Sequence, residues 1–453
     1  MRLPGDKSMA HRALLFAALA KSPSRVARLP DGDDVACTIA CLRALGTRID
    51  VDGDTATVTP APWSDPAAPL SCGNSGTLAR LLIGALAGEA IDAELVGDAS
   101  LSARPMRRVA DPLRALFGVD VVELAAGSTL PARVHGSIAF AATEIRASSP
   151  GAAPSSDAPV RVETGVASAQ VKQACVLAAR AFGGDVDVVE PVPTRDHGER
   201  MLTAFGAPIA TSAAPGGGRV VHVGAPFEWP GFDVDLPADP SSVALVAAYA
   251  IIAERRARFV DVLANPFRTA FVDVLRAAGV DIALASSSAK THAGEPIADL
   301  ALAAPSPLVR GIDVAAQRVP ALIDDIPALA AVAVASPFES VFRGVGELRF
   351  KESDRVARLV DLARAFGADA DVVDDTLRIR GRAARELRAV DRAVDRAVVR
   401  VRTDGDHRIA MAATALARAI GVAIELDVPG CERTSFPAFA TFLARLDDEA
   451  APH

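Results

Sequence analysis

Hydrophobic and polar positions follow one recurring texture along the chain. Helical stretches rich in Ala and Leu end in a Leu/Ala/Arg phrase and a glycine: LRALG at Gly46, LRALFG at Gly118, LTAFG at Gly206, LRAAG at Gly279 and LARAFG at Gly367. A sixth phrase, FLARL, closes the chain without the glycine. Glycine just past a helix predicts a left-handed C-cap. After each glycine comes a short β-rich run, such as TRIDV, VDVVEL or VDIAL. The pattern predicts a unit of helix, cap and strands about every 70 to 90 residues, three times per half.

A coarser repeat overlies this one. Leu3-Pro4-Gly5-Asp6-Lys7-Ser8 returns 233 positions later as Leu236-Pro237-Ala238-Asp239-Pro240-Ser241, and both copies run on into an Ala/Leu-rich helix. Asp239 before Pro240 reads as an N-cap followed by proline at the first helical position. By analogy Asp6 caps the first helix, with Lys7 and Ser8 in its first turn, where free N–H groups and the dipole favour an anion. Ser8 and Arg12 are four apart and share a face. One copy keeps Lys, Ser, His and Arg, while the other has apolar residues. That is the pattern of a duplicated scaffold in which one copy carries chemistry. The expected architecture is two similar α/β domains, with the chain crossing between them near Trp229 to Asp239. Ala147 to Pro159 reads as a small-residue loop, and Arg385 to Val401 as a solvated helix.

Composition narrows the picture. Of 453 residues 50% are hydrophobic but only 4% aromatic, so the core must be Ala, Val and Leu. No apolar run reaches about 18 residues, so no membrane span is expected. The chain enters a capped motif within six residues, so no signal peptide is expected. A net charge of −8 argues against general nucleic-acid binding, and anionic ligands would need local positive clusters. Cys37, Cys41, Cys72, Cys175 and Cys431 are odd in number and lack C-x-x-C spacing, which reads as free thiols in a reducing cytoplasm rather than a metal site. Of 48 basic residues only Lys7, Lys21, Lys172, Lys290 and Lys351 are lysine. Lysine chosen against that background suits sites needing a compact ammonium. Lys21 and Lys290 read as solvated surface charges.

Polar groups collect at helix starts. They are Cys72 to Thr77 before a helix bearing Arg80, Gly97 to Arg104, Ser168 to Lys172, Thr194 to His197 with Asp196 as cap, Lys351 to Arg355, and Asp406 to Arg408. Each alone is explained by capping and solvation. Together, in an acidic chain, they predict a focused site for an anionic substrate between two domains. Asp324 and Asp325 interrupt an apolar run, and Glu352 follows Lys351. Asp324 and Glu352 are the candidate base and acid. The alternative for the aspartate pair is an N-cap for the helix after Pro327, which needs at most one of them.

PGDKSxxHR, GNSGT, GDASLxxRPM, SAQVK, TRDH, DPSS, LIDDIP, KESDR, DHRIAM and TSFPAF stand in that order along essentially the whole chain. In these motifs the chain resembles the 5-enolpyruvylshikimate-3-phosphate synthase family. The resemblance implies an inside-out α/β barrel fold, with two similar domains of three β-α-β-α-β-β units each and an active site in the interdomain cleft. It implies domains at 7–230 and at 1–6 plus 231–453. It implies that Lys7, Ser8, Arg12, Ser168, Ala169, Gln170, Arg195, Asp324 and Lys351 bind shikimate 3-phosphate. Lys7, Gly76, Arg104, Gln170, Arg355 and Arg408 would surround phosphoenolpyruvate, with Lys7 and Lys351 near the reacting atoms. Asp324 would take the proton of the attacking 5-hydroxyl, and Glu352 would protonate the methylene carbon. No cofactor or metal is implied, no nucleic acid or membrane partner, and a monomer is expected. Gly76 implies sensitivity to the inhibitor glyphosate.

Three departures from the family pattern stand out. The chain begins six residues before Lys7, where family members have an extra strand. Thr434 and Ser435, beside Arg433, occupy a place where some members carry Lys. The LID-Glu pattern reads Leu322-Ile323-Asp324-Asp325. Two rival readings are the transferase acting on UDP-N-acetylglucosamine and a non-catalytic binding protein on the same scaffold. The first is disfavoured because no Cys stands in Asp98 to Ser102, the second because Asp324, Lys351 and Glu352 are retained.

Overall fold

The computed structural model describes residues 1–139, 159–180, 182, 184–303, 308–387 and 398–448, with the side chains of 286–291 outside that set. The loop reading at 147–158, the centre of the helix reading at 388–397 and the side chain of Lys290 lie outside the described residues. Lys21 is exposed and ion-paired with Glu228.

The punctuation seen in the sequence forms. Gly46, Gly118, Gly206, Gly279 and Gly367 have φ of 108°, 75°, 89°, 101° and 79°, the left-handed region that glycine enters without a Cβ clash. Asp6 accepts from the Met9 N–H at 2.7 Å, and Asp239 from the Ser241 N–H at 2.8 Å. Asp98, Asp354 and Asp406 cap their helices in the same way. Asp196 departs from expectation. It precedes the His197–Ala204 helix but makes no capping bond. Its carboxylate turns instead to Asn265 and Arg200, at 2.7 and 2.9 Å.

Apolar side chains gather into two large clusters. One runs from Met9 to Leu263, and the other takes Leu3 together with residues from Ala238 to Leu446. Three helices buried along most of their length lie in each: Lys7–Ala18, Gly76–Gly88 and Ala169–Ala179, then Pro240–Ile252, Ile326–Val334 and His407–Ile420. Small residues let them approach closely. A Cβ on Gly84 would lie 2.2 Å from the Ala174 carbonyl oxygen. Strands such as Thr129–His135 alternate buried and exposed positions, so the sheets wrap the outside of the helices.

Among the described residues there are six sheets. The complete unit is seen three times within one stretch of chain. Leu70–Ser71 pairs parallel with Asp92–Val96, which pairs antiparallel with Thr129–His135 and through it with Val122–Ala125. Val160–Glu163 and Asp313–Val314 open two further sheets of the same plan. The repeated units differ in detail among the described residues. The first unit receives its parallel edge strand from Asp233–Asp235, far along the chain. The fourth has three strands among the described residues, with Ala238 bridging parallel to Val262 and antiparallel to Gly5. The last has only the parallel pair Val399–Val401 and Ile424–Leu426. Glycine phrases mark helix ends and say nothing of how many strands find partners.

Candidate active site

The capped helices aim their N-termini at one cavity of about 410 Å³ between the two cores. Lys7 and Ser8, Gly76 and Thr77, Ala169 and Gln170, and Arg408 line it from the first turns of four helices. Orphan N–H groups and helix dipoles there favour anions. Seven basic and four acidic side chains line the cavity, an excess of positive charge in a chain of net charge −8. The local sign is therefore opposite to the global one.

Both cores contribute. Arg195, from the first, meets Asp324 of the second at 2.7 Å. Arg108 pairs with Glu347 at 2.9 Å, and the Ser100 hydroxyl donates to the Glu352 carbonyl oxygen at 2.7 Å. Arg104 stands 3.9 Å from the Glu352 carboxylate.

Two carboxylates face each other through one guanidinium. Arg355 is fully buried. Its Nε donates to Asp406 at 2.8 Å, its Nη1 reaches Asp324 at 3.4 Å, and its Nη2 pairs with Glu352. Burial raises the Asp324 carboxyl, but Arg408, Arg195, Lys351 and Arg355 outweigh it and hold the group well below the usual range. Burial raises Glu352 too, and Arg355 and Arg104 hold it well below its usual value. Lys351 is pushed down to about 8, chiefly by burial and by Arg355, against the opposing pull of Asp324. Asp324 keeps 18% of its side chain exposed, enough for a small ligand to reach.

Of the residues expected at the site, Lys7, Ser8, Gly76, Arg104, Ser168, Ala169, Gln170, Arg195, Asp324, Lys351, Glu352 and Arg408 line the cavity. Arg12 and Arg355 stand behind its wall. Arg12 is buried, donates to the Ser8 carbonyl oxygen at 2.9 Å, and is pushed down to about 10, burial outweighing the pull of Glu199 and Asp6. Lys172 faces away from the cavity, fully buried against Glu190 and Glu199 at 2.9 and 2.7 Å. Arg433, Thr434 and Ser435 are not among the lining residues. Cys431–Thr434 forms a 3-10 turn, and the Thr434–Ser435 backbone packs on Gly32.

Sequence reasoning missed Asp34, which pairs with Lys7 at 2.7 Å, and the lining residues Arg108 and Glu347. Burial raises the Asp34 carboxyl, with Lys7 opposing. Asp34 follows Asp33 in the first turn of the Asp33–Ala44 helix, where acids are routine, so the sequence offered no separate signal. Arg80 was visible on its helix but not assigned. It donates to Gln170 at 2.5 Å, and burial leads in lowering it to about 9.

The chain was compared with known proteins. The family described as EPSP synthase (3-phosphoshikimate 1-carboxyvinyltransferase) matches residues 1–443. A 3-phosphoshikimate 1-carboxyvinyltransferase of Rhodopseudomonas palustris is 37% identical over 99% of this chain and 95% of that relative. One from Acidiphilium cryptum is 39% identical over 96% of this chain and 92% of that relative. A solved EPSP synthase from Acinetobacter baumannii superposes with TM-score 0.75 at 30% identity, covering 98% of this chain and 95% of the other. The enolpyruvyl transferase NikO from Streptomyces tendae superposes with TM-score 0.63 at 19% identity, over 99% of this chain and 94% of the other, and supports the fold alone. A cleft built to hold anions between two duplicated α/β halves, and a family match that runs nearly end to end, lead to one conclusion: the chain belongs to the EPSP synthase (3-phosphoshikimate 1-carboxyvinyltransferase) family.

Proposed function

We propose that the chain transfers the enolpyruvyl group of phosphoenolpyruvate to the 5-hydroxyl of shikimate 3-phosphate, releasing phosphate. The observation that carries the reading is the cleft's pair of carboxylates, Asp324 and Glu352, set among seven basic side chains and joined through Arg355. Family membership supports the identity of both substrates.

In this reading Ser168, the Ala169 backbone, Gln170, Arg195 and Lys7 hold shikimate 3-phosphate, with Ser8 in the same helix turn and Arg12 behind it. Gly76, Arg104 and Arg408 surround phosphoenolpyruvate, and Arg355 acts from behind. Asp324 takes the proton from the 5-hydroxyl as its oxygen bonds to C2 of phosphoenolpyruvate. Glu352 gives a proton to C3, which becomes a methyl group on a tetrahedral ketal. The C2–O bond to phosphate then breaks as C3 loses a proton, leaving the enol ether and inorganic phosphate. Lys351 and Lys7 offset charge at the reacting centre.

The surrounding cations hold both carboxylates ionised. Bound phosphates occupy the same cations and weaken their hold, so the Glu352 carboxyl rises and takes up the proton it later donates. No step calls for a cofactor. We further read 7–230 and 1–6 plus 231–453 as the two domains, in a monomer acting in the cytoplasm. The two apolar clusters support a division near these boundaries, although Val234, Leu236 and Leu263 pack with the first. No helix among the described residues is long and apolar enough to cross a membrane.

Inorganic phosphate released from phosphoenolpyruvate with shikimate 3-phosphate as acceptor is the test. Release that requires both compounds, and is absent with UDP-N-acetylglucosamine, is expected. Release with the sugar nucleotide alone as acceptor, or none at all with either, overturns the reading.

A further inference from the structure

Behind the cleft, at the crossover, one guanidinium joins the two halves of the duplication. Arg268 is 1% exposed. Its Nη1 lies 2.6 Å from Asp6 Oδ2, and its Nη2 donates to Asp239 Oδ1 at 2.8 Å. These two aspartates are the echoed N-caps, the first of the Lys7–Ala18 helix and the second of the Pro240–Ile252 helix. The same fork reaches the Ser241 hydroxyl at 3.3 Å and His197 Nε2 at 3.4 Å. The strands leading to the caps cross here. The Asp6 N–H donates to the Pro237 carbonyl at 2.8 Å, and the Asp239 N–H to the Pro4 carbonyl at 3.1 Å. The Lys7 N–H in turn reaches Asp239 Oδ2 at 3.4 Å.

We propose that Arg268 is a positioning residue that locks the two helix caps together and thereby sets Lys7 and Ser8 within the cleft. Lys7 follows Asp6 directly, so the backbone that aims its ammonium is held by the cap that Arg268 holds. Only a planar fork can meet two carboxylates at once. A lysine carries the same charge but engages one point. Asp325, fully buried nearby, shows how fully that charge is used. Its carboxyl is pushed up to about 6 because burial outweighs the pull of Arg268. A buried guanidinium committed to two caps is also costly to displace, which suits a fixed reference point where the two halves meet. Arg268 is absent from the cavity wall, so its effect on ligands must pass through the caps.

This inference rests on the proposed binding of shikimate 3-phosphate. Calorimetric titration of that compound into the wild-type chain, Arg268→Lys, Lys7→Met and the double variant separates the two, with melting temperatures recorded for each. Absence of binding to folded wild type overturns the proposed function and this inference with it. If wild type binds, Arg268→Lys in a folded chain should weaken binding by about tenfold or more, the scale of a lost charge-assisted contact. In the Lys7→Met background the same change should weaken it less than about threefold, because residues acting in series are not additive. Wild-type affinity in folded Arg268→Lys overturns the proposal, as does an equal loss in both backgrounds. Should Arg268→Lys fail to fold, Asp239→Asn releases one prong of the fork and is judged by the same two comparisons.

Discussion

A single methyl tests the anion pocket at Gly76. This residue opens the Gly76–Gly88 helix with ordinary helical backbone, and the left-handed glycine of the loop is Gly73, at φ 54°. A reading in which Gly76 serves only a positive φ therefore falls. A Cβ there would lie 3.0 Å from Arg80 Nη1 and 3.1 Å from Arg104 Nη1. Gly76→Ala should push both guanidiniums and weaken glyphosate about tenfold more than phosphoenolpyruvate, the scale of a mild steric clash. Inhibition measured at several phosphoenolpyruvate concentrations checks it, and an equal loss for both ligands would sink the idea. Glu352→Gln keeps shape and removes the proton. The rate should fall roughly 100-fold or more while shikimate 3-phosphate binding changes little. A surviving rate with lost binding would make Glu352 a mere partner of Arg355. Lys351 gives a pH signature. Its ammonium, lowered to about 8, is charged below that pH and neutral above it. The rate should decline as pH rises through about 8, and Lys351→Arg, charged throughout, should lose that limb of the profile.

Among the elements, the central helices meet through small residues that allow close packing. The Gly76–Gly88 and Ala169–Ala179 helices touch along Gly84, where a Cβ would meet the Ala174 backbone. The second of these helices is pinned from below by Lys172, which lies between Glu190 and Glu199 with no exposure. Lys172→Met would fill the volume but leave two buried carboxylates short of a partner. It should destabilise the chain by about 3–5 kcal/mol, the range for breaking a buried pair. Denaturant unfolding checks the size, and a loss below about 1 kcal/mol would mean that Arg219, 3.9 Å from Glu190, takes over the pairing. The helix caps at Asp6 and Asp239 were legible because each depends on residues two or three positions away, and Asp98, Asp354 and Asp406 follow the same local rule. Asp196 was misread because Asn265, far off in sequence, outbids the local N–H groups.

For the whole molecule, the expected motion is of one core against the other. The halves touch through Arg195 to Asp324, Arg108 to Glu347 and Ser100 to the Glu352 carbonyl. These three contacts are polar and lie at the cleft; behind it the crossing strands, Asp196 to Asn265 and His197 to Glu295 tie the halves, and the Thr434–Ser435 backbone packs on Gly32. Contacts of this kind at the cleft, with ties behind it, lead us to expect a hinged closure. Shikimate 3-phosphate engages residues of both halves in the proposed reading, so it should favour the closed form and tighten binding of the second ligand. Solution scattering should show a smaller radius of gyration on adding it, and an unchanged profile would count against closure.

The amino-acid sequence by itself determined the helix starts and stops, the repeat of the capped opening motif at Asp6 and Asp239, and the residue types that gather at helix N-termini. All of these depend on short-range chemistry or on repetition that a reader can see. Only the tertiary structure decided which charges meet. Asp324 lies 129 positions from Arg195, and Lys7 lies 27 from Asp34. Nothing local to Arg268 shows that it spans two caps on opposite sides of the duplication. The opening strand of the first sheet likewise arrives from Asp233–Asp235, because parallel pairing needs a long return of the chain. Local patterns fix where a backbone turns. The charge on a buried group is set by neighbours that the fold brings together in space.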